Sequence, residues 1–308
     1  MVSYDAPTSP RPRGPVERAE AAAAAAHGAE WVESGLLRLP LRTPTLPPAT
    51  TTNHVLCGRD RAVIVDPSCP DAAGLDRTVA LCRLLQEQAG WRWDAIVLTH
   101  HHRDHIAMAE PLARAMAIPI RCHAATVPLL PFVAQGDIED DDVVAEVGHD
   151  VWRALHTPGH APGHLALLRQ GPDRPGAVIV GDLIAAEGTI LIDPRDGDMA
   201  LYLASLERVA AAEPRLAVPA HGGVLHDPIT VLRGTAAHRL AREARVFEAL
   251  GDTPRTDDAL LPEAYGDTPR RLWPIALRSM RAHLLHLAAQ GRAVQHAEGW
   301  VRAASTGA

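Results

Sequence analysis

Lysine is missing from this chain of 308 residues, so all 30 of its Lys-or-Arg positions are arginine. Schiff-base catalysis and a lysine general base are therefore excluded, because both need an amine that can give up its proton and a guanidinium does not. Cysteine is sparse. Cys57, Cys69, Cys82 and Cys122 stand apart with no C-x-x-C pair, which argues against a disulfide framework or a thiolate zinc site and fits a reducing compartment. No run of about 18 apolar residues occurs, so no membrane-spanning helix is expected. Ala21–Ala26 follows Arg11, Arg13 and Arg18, but Glu17, Glu20, His27 and Glu30 flank it. Six alanines are too weakly apolar for a secretory signal, and cytoplasmic residence is the expectation. Neither a G-x-S-x-G elbow nor a glycine-rich phosphate loop is found, which removes an activated serine and a nucleotide cradle. The net charge of −7 and pI near 6.2 oppose general adhesion to nucleic acid or anionic membrane, leaving room only for a local basic face.

The composition, 47% hydrophobic and 22% charged, is that of an ordinary globular protein. Its length suffices for one large core of about 200–250 residues and a small second domain. Residues 1–15, rich in Pro, Ser and Arg, read as a disordered lead-in, and a peripheral helix is expected from Val16 to Trp31. Short apolar runs bounded by turn residues predict strands at Gly35–Leu41, His54–Cys57, Ala62–Asp66, Ala95–Thr99, Pro119–His123, Trp152–Thr157, Leu165–Arg169, Ala177–Gly181 and Leu216–Pro219. Amphipathic helices are expected at Asp71–Gln88, His105–Met116, Ala124–Val133 and Met199–Ala212. Strands mixed with helices give an α/β catalytic domain over 16–250. After His226 the order becomes long helix (Val231–Leu250), helix (Asp257–Tyr265), helix (Pro269–Gln290) and β-ribbon (Ala293–Val301). That order predicts a small winged-helix-like domain over 251–308.

The chemistry concentrates at strand ends. In Ile96-Val-Leu-Thr-His-His-His-Arg-Asp-His105 an apolar strand runs directly into His100, His102, Asp104 and His105. Imidazole suits zinc, and carboxylate suits zinc or a harder ion. Two histidines one residue apart can reach one metal, and the Asp-His pair at the start of a helix can reach a neighbouring one. Three further segments repeat the arrangement: His160 in a Pro-Gly turn, Asp182 closing Val178-Ile-Val-Gly-Asp, and His221 closing Val218-Pro-Ala-His. Loops at strand ends can converge on one sheet edge while the sheets hold them rigid.

The series His100-x-His102-x-Asp104-His105, His160, Asp182, His221 resembles the ligand set of the metallo-β-lactamase superfamily over roughly Leu36–Gly223. The resemblance implies an αββα sandwich of two mixed sheets. It also implies two divalent metal ions, zinc by ligand type. His100, His102 and His160 would hold the first, and Asp104, His105 and His221 the second, with Asp182 between them. Asp66, ending a core strand, becomes a carboxylate that orients a ligand imidazole. His101 is expected to point away from the metals, while His156 and His164 pack beside the His160 turn. His123 and His149 default to structural roles. The implied reaction is hydrolysis by a metal-bound hydroxide, with Asp104 and Asp182 as the catalytic carboxylates that accept its hydrogen bonds.

The tail, in Ala237–Arg245, Tyr265–Trp273 and Arg281–Leu287, is similar to the beta-lactamase-like subgroup with a C-terminal winged helix, which includes an endoribonuclease and acyl-carrier thioesterases. Thr51-Thr52-Asn53 looks like that subgroup's substrate-side turn. Ile106-Ala107-Met108 departs from the Gly-Gly that many relatives carry there, and would narrow the pocket. Arg270, Arg271, Arg278 and Arg281 fall on one arc of the expected helix, with Thr268 as its cap, and Pro274 either starts a new helix or kinks this one. The expected partner is a small-molecule or carrier-linked ester or thioester. The alternatives are RNA, cleaved as by an endoribonuclease, and a nucleic-acid-binding regulator with a vestigial core. Oligomeric state is not readable from the chain.

Overall fold

The computed structural model describes residues 11–171 and 175–304. Residues 1–10 of the expected lead-in lie outside the described residues. The chain divides into two compact units, the first made of Met1–His156, Gly163–Thr189 and Ala212–Ile229, the second of Thr157–Pro162, Ile190–Ala211 and Thr230–Ala308.

The first unit opens with helix α1 (Pro15–Ala26), and a six-stranded sheet follows in chain order: β1 (Glu30–Glu33), β2 (Leu36–Arg42), β3 (Thr51–Cys57), β4 (Ala62–Val65), β5 (Trp93–Val97) and β6 (Ile120–Arg121). Pairing is antiparallel through β4 and parallel from β4 to β6. A parallel pair needs a crossover, and helix α2 (Ala72–Ala89) supplies it between β4 and β5. Asp71 accepts the Gly74 amide at 2.7 Å to start that helix, and Gly90, at φ +73°, ends it. A second sheet has the order β11-β10-β9-β8-β7, from β7 (Val143–Val147), β8 (Asp150–His156), β9 (Leu165–Gln170), β10 (Pro175–Gly181) and β11 (Leu216–Pro219).

Side-chain alternation decides how these sheets bury their faces. On β4 and β5, Val63, Val65, Ala95 and Val97 join Trp152, Leu165, Ile179 and Val218 of the second sheet in one core. The intervening Ala62, Ile64, Ile96 and Leu98 face the other way, into a core with Ala23 of α1 and Leu81 and Leu85 of α2. Both faces of the central strands are thus apolar, which is why they read as continuous runs.

The sequence misplaced several elements. The helix expected at Ala124–Val133 is one 3-10 turn, Val127–Leu129, because Pro128 and Pro131 each remove a backbone donor. The helix expected at His105–Met116 is two, α3 (Arg103–Ile106) and α4 (Ala109–Met116). The Met108 amide leaves the helical ladder to donate to the Pro67 carbonyl at 3.0 Å, and Pro111 suits a helix that restarts just before it. The first helix ends at Ala26, and Trp31 lies in β1 instead. Strands β1 and β7 had no forecast, and the run expected at Pro119–His123 shrinks to the two residues of β6.

In the second unit stand α5 (Met199–Ala211), α6 (Pro228–Ala249, whose first residues belong to the first unit), α7 (Asp257–Ala264), α8 (Trp273–Ala289) and the hairpin β12 (Ala293–His296)–β13 (Gly299–Arg302). Val246, Leu260, Leu261, Met280, Leu284, Leu287 and Trp300 form its core. The third helix of this order starts later than expected. Arg270–Leu272 make a 3-10 turn, and α8 begins at Trp273 with Pro274 in its first turn rather than as a kink.

Candidate metal centre

Strand β5 carries the chain through Leu98 and Thr99 to the edge of its sheet, and β4 delivers Asp66 beside it. Asp66 sits at φ +49°, a left-handed conformation that aspartate tolerates better than most residues. Its carboxylate is buried and used fully. Oδ1 accepts the Thr99 amide at 2.7 Å, while Oδ2 accepts the Thr99 hydroxyl at 2.6 Å and His105 Nδ1 at 2.8 Å. Since the Thr99 proton goes to Asp66, the 2.9 Å contact between Thr99 Oγ1 and His100 Nδ1 is donated by the imidazole. One carboxylate therefore fixes two histidines, His105 directly and His100 through Thr99.

The tautomers follow from these bonds. His100 and His105 each spend Nδ1–H, and His221 does the same toward the Thr51 carbonyl at 3.0 Å. All three present Nε2 as a lone pair. At His105 and His221 these lone pairs face carboxylate oxygens. His221 Nε2 lies 3.3 Å from Asp182 Oδ1 and 3.7 Å from Asp104 Oδ2, and His105 Nε2 lies 3.5 Å from Asp182 Oδ1. His105 is fully buried, and its Nε2 has no hydrogen-bond partner among the described residues. An orphaned lone pair beside a carboxylate oxygen is what a cation would satisfy. Ligands about 2.0–2.2 Å from a tetrahedral zinc are themselves about 3.3 Å apart, close to the spacings here. One ligand atom each from Asp104, His105 and His221 fits within a 4.8 Å group.

His100 and His102 form the neighbouring pair, with Nε2 and Nδ1 3.0 Å apart, again a chelating separation. The rings of His100 and His105 are 4.1 Å apart, so the two sets adjoin. Charge points the same way. Burial lowers the His105 and His221 pKa values, yet the carboxylate of Asp182, joined at His105 by Asp66, raises both above the usual imidazole value, at His105 well above. The carboxylates thus favour positive charge at these two imidazoles, which a bound cation would supply in place of protons.

His160 lies in the second unit, in a turn opened by Gly159. Its Nδ1 donates to the Leu191 carbonyl at 2.9 Å, the same donor pattern as the other three imidazoles. His164 accepts the Asp182 amide at 3.1 Å and so steadies the backbone of that carboxylate. Gly181, at φ +48°, is required there: a Cβ would meet His164 Nε2 at 2.7 Å and Thr99 Oγ1 at 3.0 Å.

One expectation is overturned. Asn53 is buried inside β3 and is no substrate-side turn. Its amide donates to the Pro219 and Gly222 carbonyls at 2.8 Å each, and its Oδ1 accepts from Arg38 at 3.0 Å. It clasps the loop that carries His221. Sequence reasoning also passed over Thr99, whose only signal was its place between an apolar strand and the histidine run.

A family model described as Metallo-beta-lactamase superfamily matches residues 46–221, and one described as Beta-lactamase associated winged helix domain matches residues 256–300. The Beta-lactamase-like protein 2 homolog of Drosophila melanogaster is 25% identical over 79% of this chain and 83% of its own length. The atrochrysone carboxyl ACP thioesterase of Cryptosporiopsis sp. is 27% identical over 68% of this chain, which spans 61% of that relative. A beta-lactamase domain protein from Burkholderia ambifaria superposes with a TM-score of 0.75 at 21% identity, covering 91% of this chain and 94% of its own. With the matched segment enclosing every one of the seven motif histidines and aspartates, the chain belongs to the metallo-beta-lactamase superfamily of hydrolases.

Proposed function

We propose that this hydrolase cleaves a carrier-linked thioester. The observation that carries the reading is the convergence of His105, His221, Asp104 and Asp182 on one point lined by lone pairs and carboxylate oxygens. In this reading His100, His102 and His160 would hold the first of two divalent ions, Asp104, His105 and His221 the second, with Asp182 as the carboxylate between them. Zinc is the ion that the nitrogen-rich donor set favours. The catalytic domain runs over 16–250 and the winged-helix-like domain over 251–308.

When bound, the ions supply Lewis acidity and lower the pKa of water from about 15.7 toward about 7. The chain's residues do the rest. Asp104 and Asp182 accept hydrogen bonds from the attacking water and orient it toward the acyl carbon. Asp66 and the Thr51 carbonyl keep the imidazoles in the tautomer that leaves Nε2 deprotonated. Water adds to the thioester carbonyl, the C–S bond breaks, one water proton passes to the sulfur, and a carboxylate, a thiol and the second proton leave.

The thioester reading gains from relatives named as acyl-carrier thioesterases. RNA fits less well. Of the arginines expected to form one cationic arc, Arg278 pairs with Asp193 at 3.3 Å and Arg281 with Asp257 at 2.6 Å, while Arg270 stacks over Trp273 at 5.2 Å. With two of its four arginines paired to carboxylates, the arc makes a weaker phosphate track. Purified protein given an acyl-pantetheine thioester and single-stranded RNA in parallel decides the matter. Thiol release that disappears on chelation and returns with zinc is expected; metal-dependent RNA cleavage without thiol release would replace this reading.

The Asp66 hydrogen bonds give a second expected result. Asp66→Ala frees the rings of His105 and His100, and loss of such a buttress costs about 10–100-fold in metal affinity. Titration of zinc against a competing chelator measures it, and wild-type affinity would mean that packing alone aligns the rings.

A further inference from the structure

The turn that carries His160 is gripped from the C-terminal helices. Arg239 projects from α6 and is only 5% exposed, an unusual fate for an arginine on a helix otherwise rich in surface charge. Its Nη2 donates to the Ile190 carbonyl, and the next carbonyl, Leu191, accepts His160 Nδ1 at 2.9 Å. The guanidinium also lies over the ring of Tyr202, with 5.6 Å between Cζ and the centroid. Tyr202 is fully buried in α5, and its backbone packs so closely on Gly159 that a Cβ there would stand 2.1 Å from Tyr202 N. The Asp198 amide donates to the Gly159 carbonyl at 2.9 Å, and the Ser205 hydroxyl to the Pro158 carbonyl at 2.7 Å. These partners of the turn are thus braced by the Ile190–Leu191 segment or by α5 and the residue before it, and Arg239 touches both stretches.

We infer that Arg239 is a positioning residue for the metal centre, acting on His160 through the Ile190–Leu191 segment and the Tyr202 ring. The inference rests on His160 being a metal ligand. A guanidinium is suited to the task because its planar fork can bond one carbonyl while its face lies on an aromatic ring, which an ammonium cannot do together. The consequence is that α6, far along the chain from the histidine run, tunes the affinity of the first metal site.

The test compares Arg239→Ala, Arg239→Lys and His160→Ala with the natural protein. Zinc alone is titrated against a competing chelator, and the visible spectrum is recorded after cobalt(II) replacement. Arg239→Ala is expected to weaken one of the two ions about 10–100-fold, the range typical of lost support behind a ligand, and to change the cobalt bands of that ion only. Arg239→Lys, which keeps the stem and charge but not the fork, should recover part of the loss. Both ions bound as in the natural protein, with an unaltered spectrum, would overturn the inference. If Arg239→Ala does not fold, the lysine variant decides by the same two readings. His160→Ala separates the two levels: if it keeps both ions, His160 is no ligand and the underlying reading fails. If it loses one ion while the Arg239 variants lose none, the failure belongs to the inference alone.

Discussion

Asp182→Ala is expected to strip hydrolysis from the protein by at least about 10³-fold, equivalent to about 4 kcal/mol of transition-state stabilisation, and to leave the fold standing. Asp182 Oδ1 is an atom that both His105 and His221 face, at 3.5 and 3.3 Å. Its removal leaves two imidazole lone pairs without the carboxylate that would neutralise a cation between them. The backbone beneath stays put, because the Asp182 amide bonds to His164 and β10 pairs with neighbours on both sides. Elemental analysis should find less metal per chain, while circular dichroism matches the natural protein. Asp182→Asn keeps the shape and an acceptor but not the charge, so it should fall between the two in metal affinity. Turnover at the natural rate by a metal-free Asp182→Ala protein would end the mechanism proposed above.

The candidate ligands were legible in the sequence because metal chemistry constrains both residue type and place. His, Asp and strand ends coincide at His100, His102, Asp104, His105, Asp182 and His221, and strands stand out as apolar runs. What supports the ligands was largely hidden. Asp66 was legible as a carboxylate that orients an imidazole, and its bond to His105 Nδ1 fits that. Its second hold, on His100 through Thr99, needs three residues from two strands in one place, and no local pattern encodes that. Asn53 is a similar case. A Thr-Thr-Asn run looks like a turn on its own, but β2 and β3 pair across it, and its amide finds carbonyls 166 and 169 residues away. The missed strands have plain causes. β1 is four residues long with glutamate at each end, and β7 follows the acidic run Glu139–Asp142, so neither offers the apolar stretch that marks β4 or β5. Helix breaks were the converse error. Periodicity persisted through Ala124–Val133 and His105–Met116, but prolines and a diverted Met108 amide withdrew the hydrogen bonds that periodicity cannot count.

The same blindness applies to Glu20, where the largest effect on stability is expected. On sequence alone it is one more polar residue in an alanine-rich helix. In the fold it is completely buried. Its Oε1 accepts the Trp91 indole at 3.1 Å, and its Oε2 accepts the Trp31 indole at 3.1 Å and the Gly35 amide at 3.2 Å, with Arg59 3.5 Å away. It ties α1 to the β1–β2 turn and to the chain that enters β5. Glu20→Ala orphans two indole N–H groups and one backbone N–H in the interior, at about 1–3 kcal/mol each before relaxation, and leaves Arg59 without its partner. A net loss of about 3–5 kcal/mol is the expected result, in line with breaking a buried charged network from one side, and denaturant melts read it directly. Glu20→Gln can still accept from the indoles, though more weakly, so it should lose less. Metal content per folded molecule should not change in either variant, because no atom of this network touches the histidines or aspartates of the centre. A stability loss below about 1 kcal/mol for the alanine variant would mean that water enters and satisfies the orphaned donors, and that α1 is held by Ala23 and Ala24 packing instead.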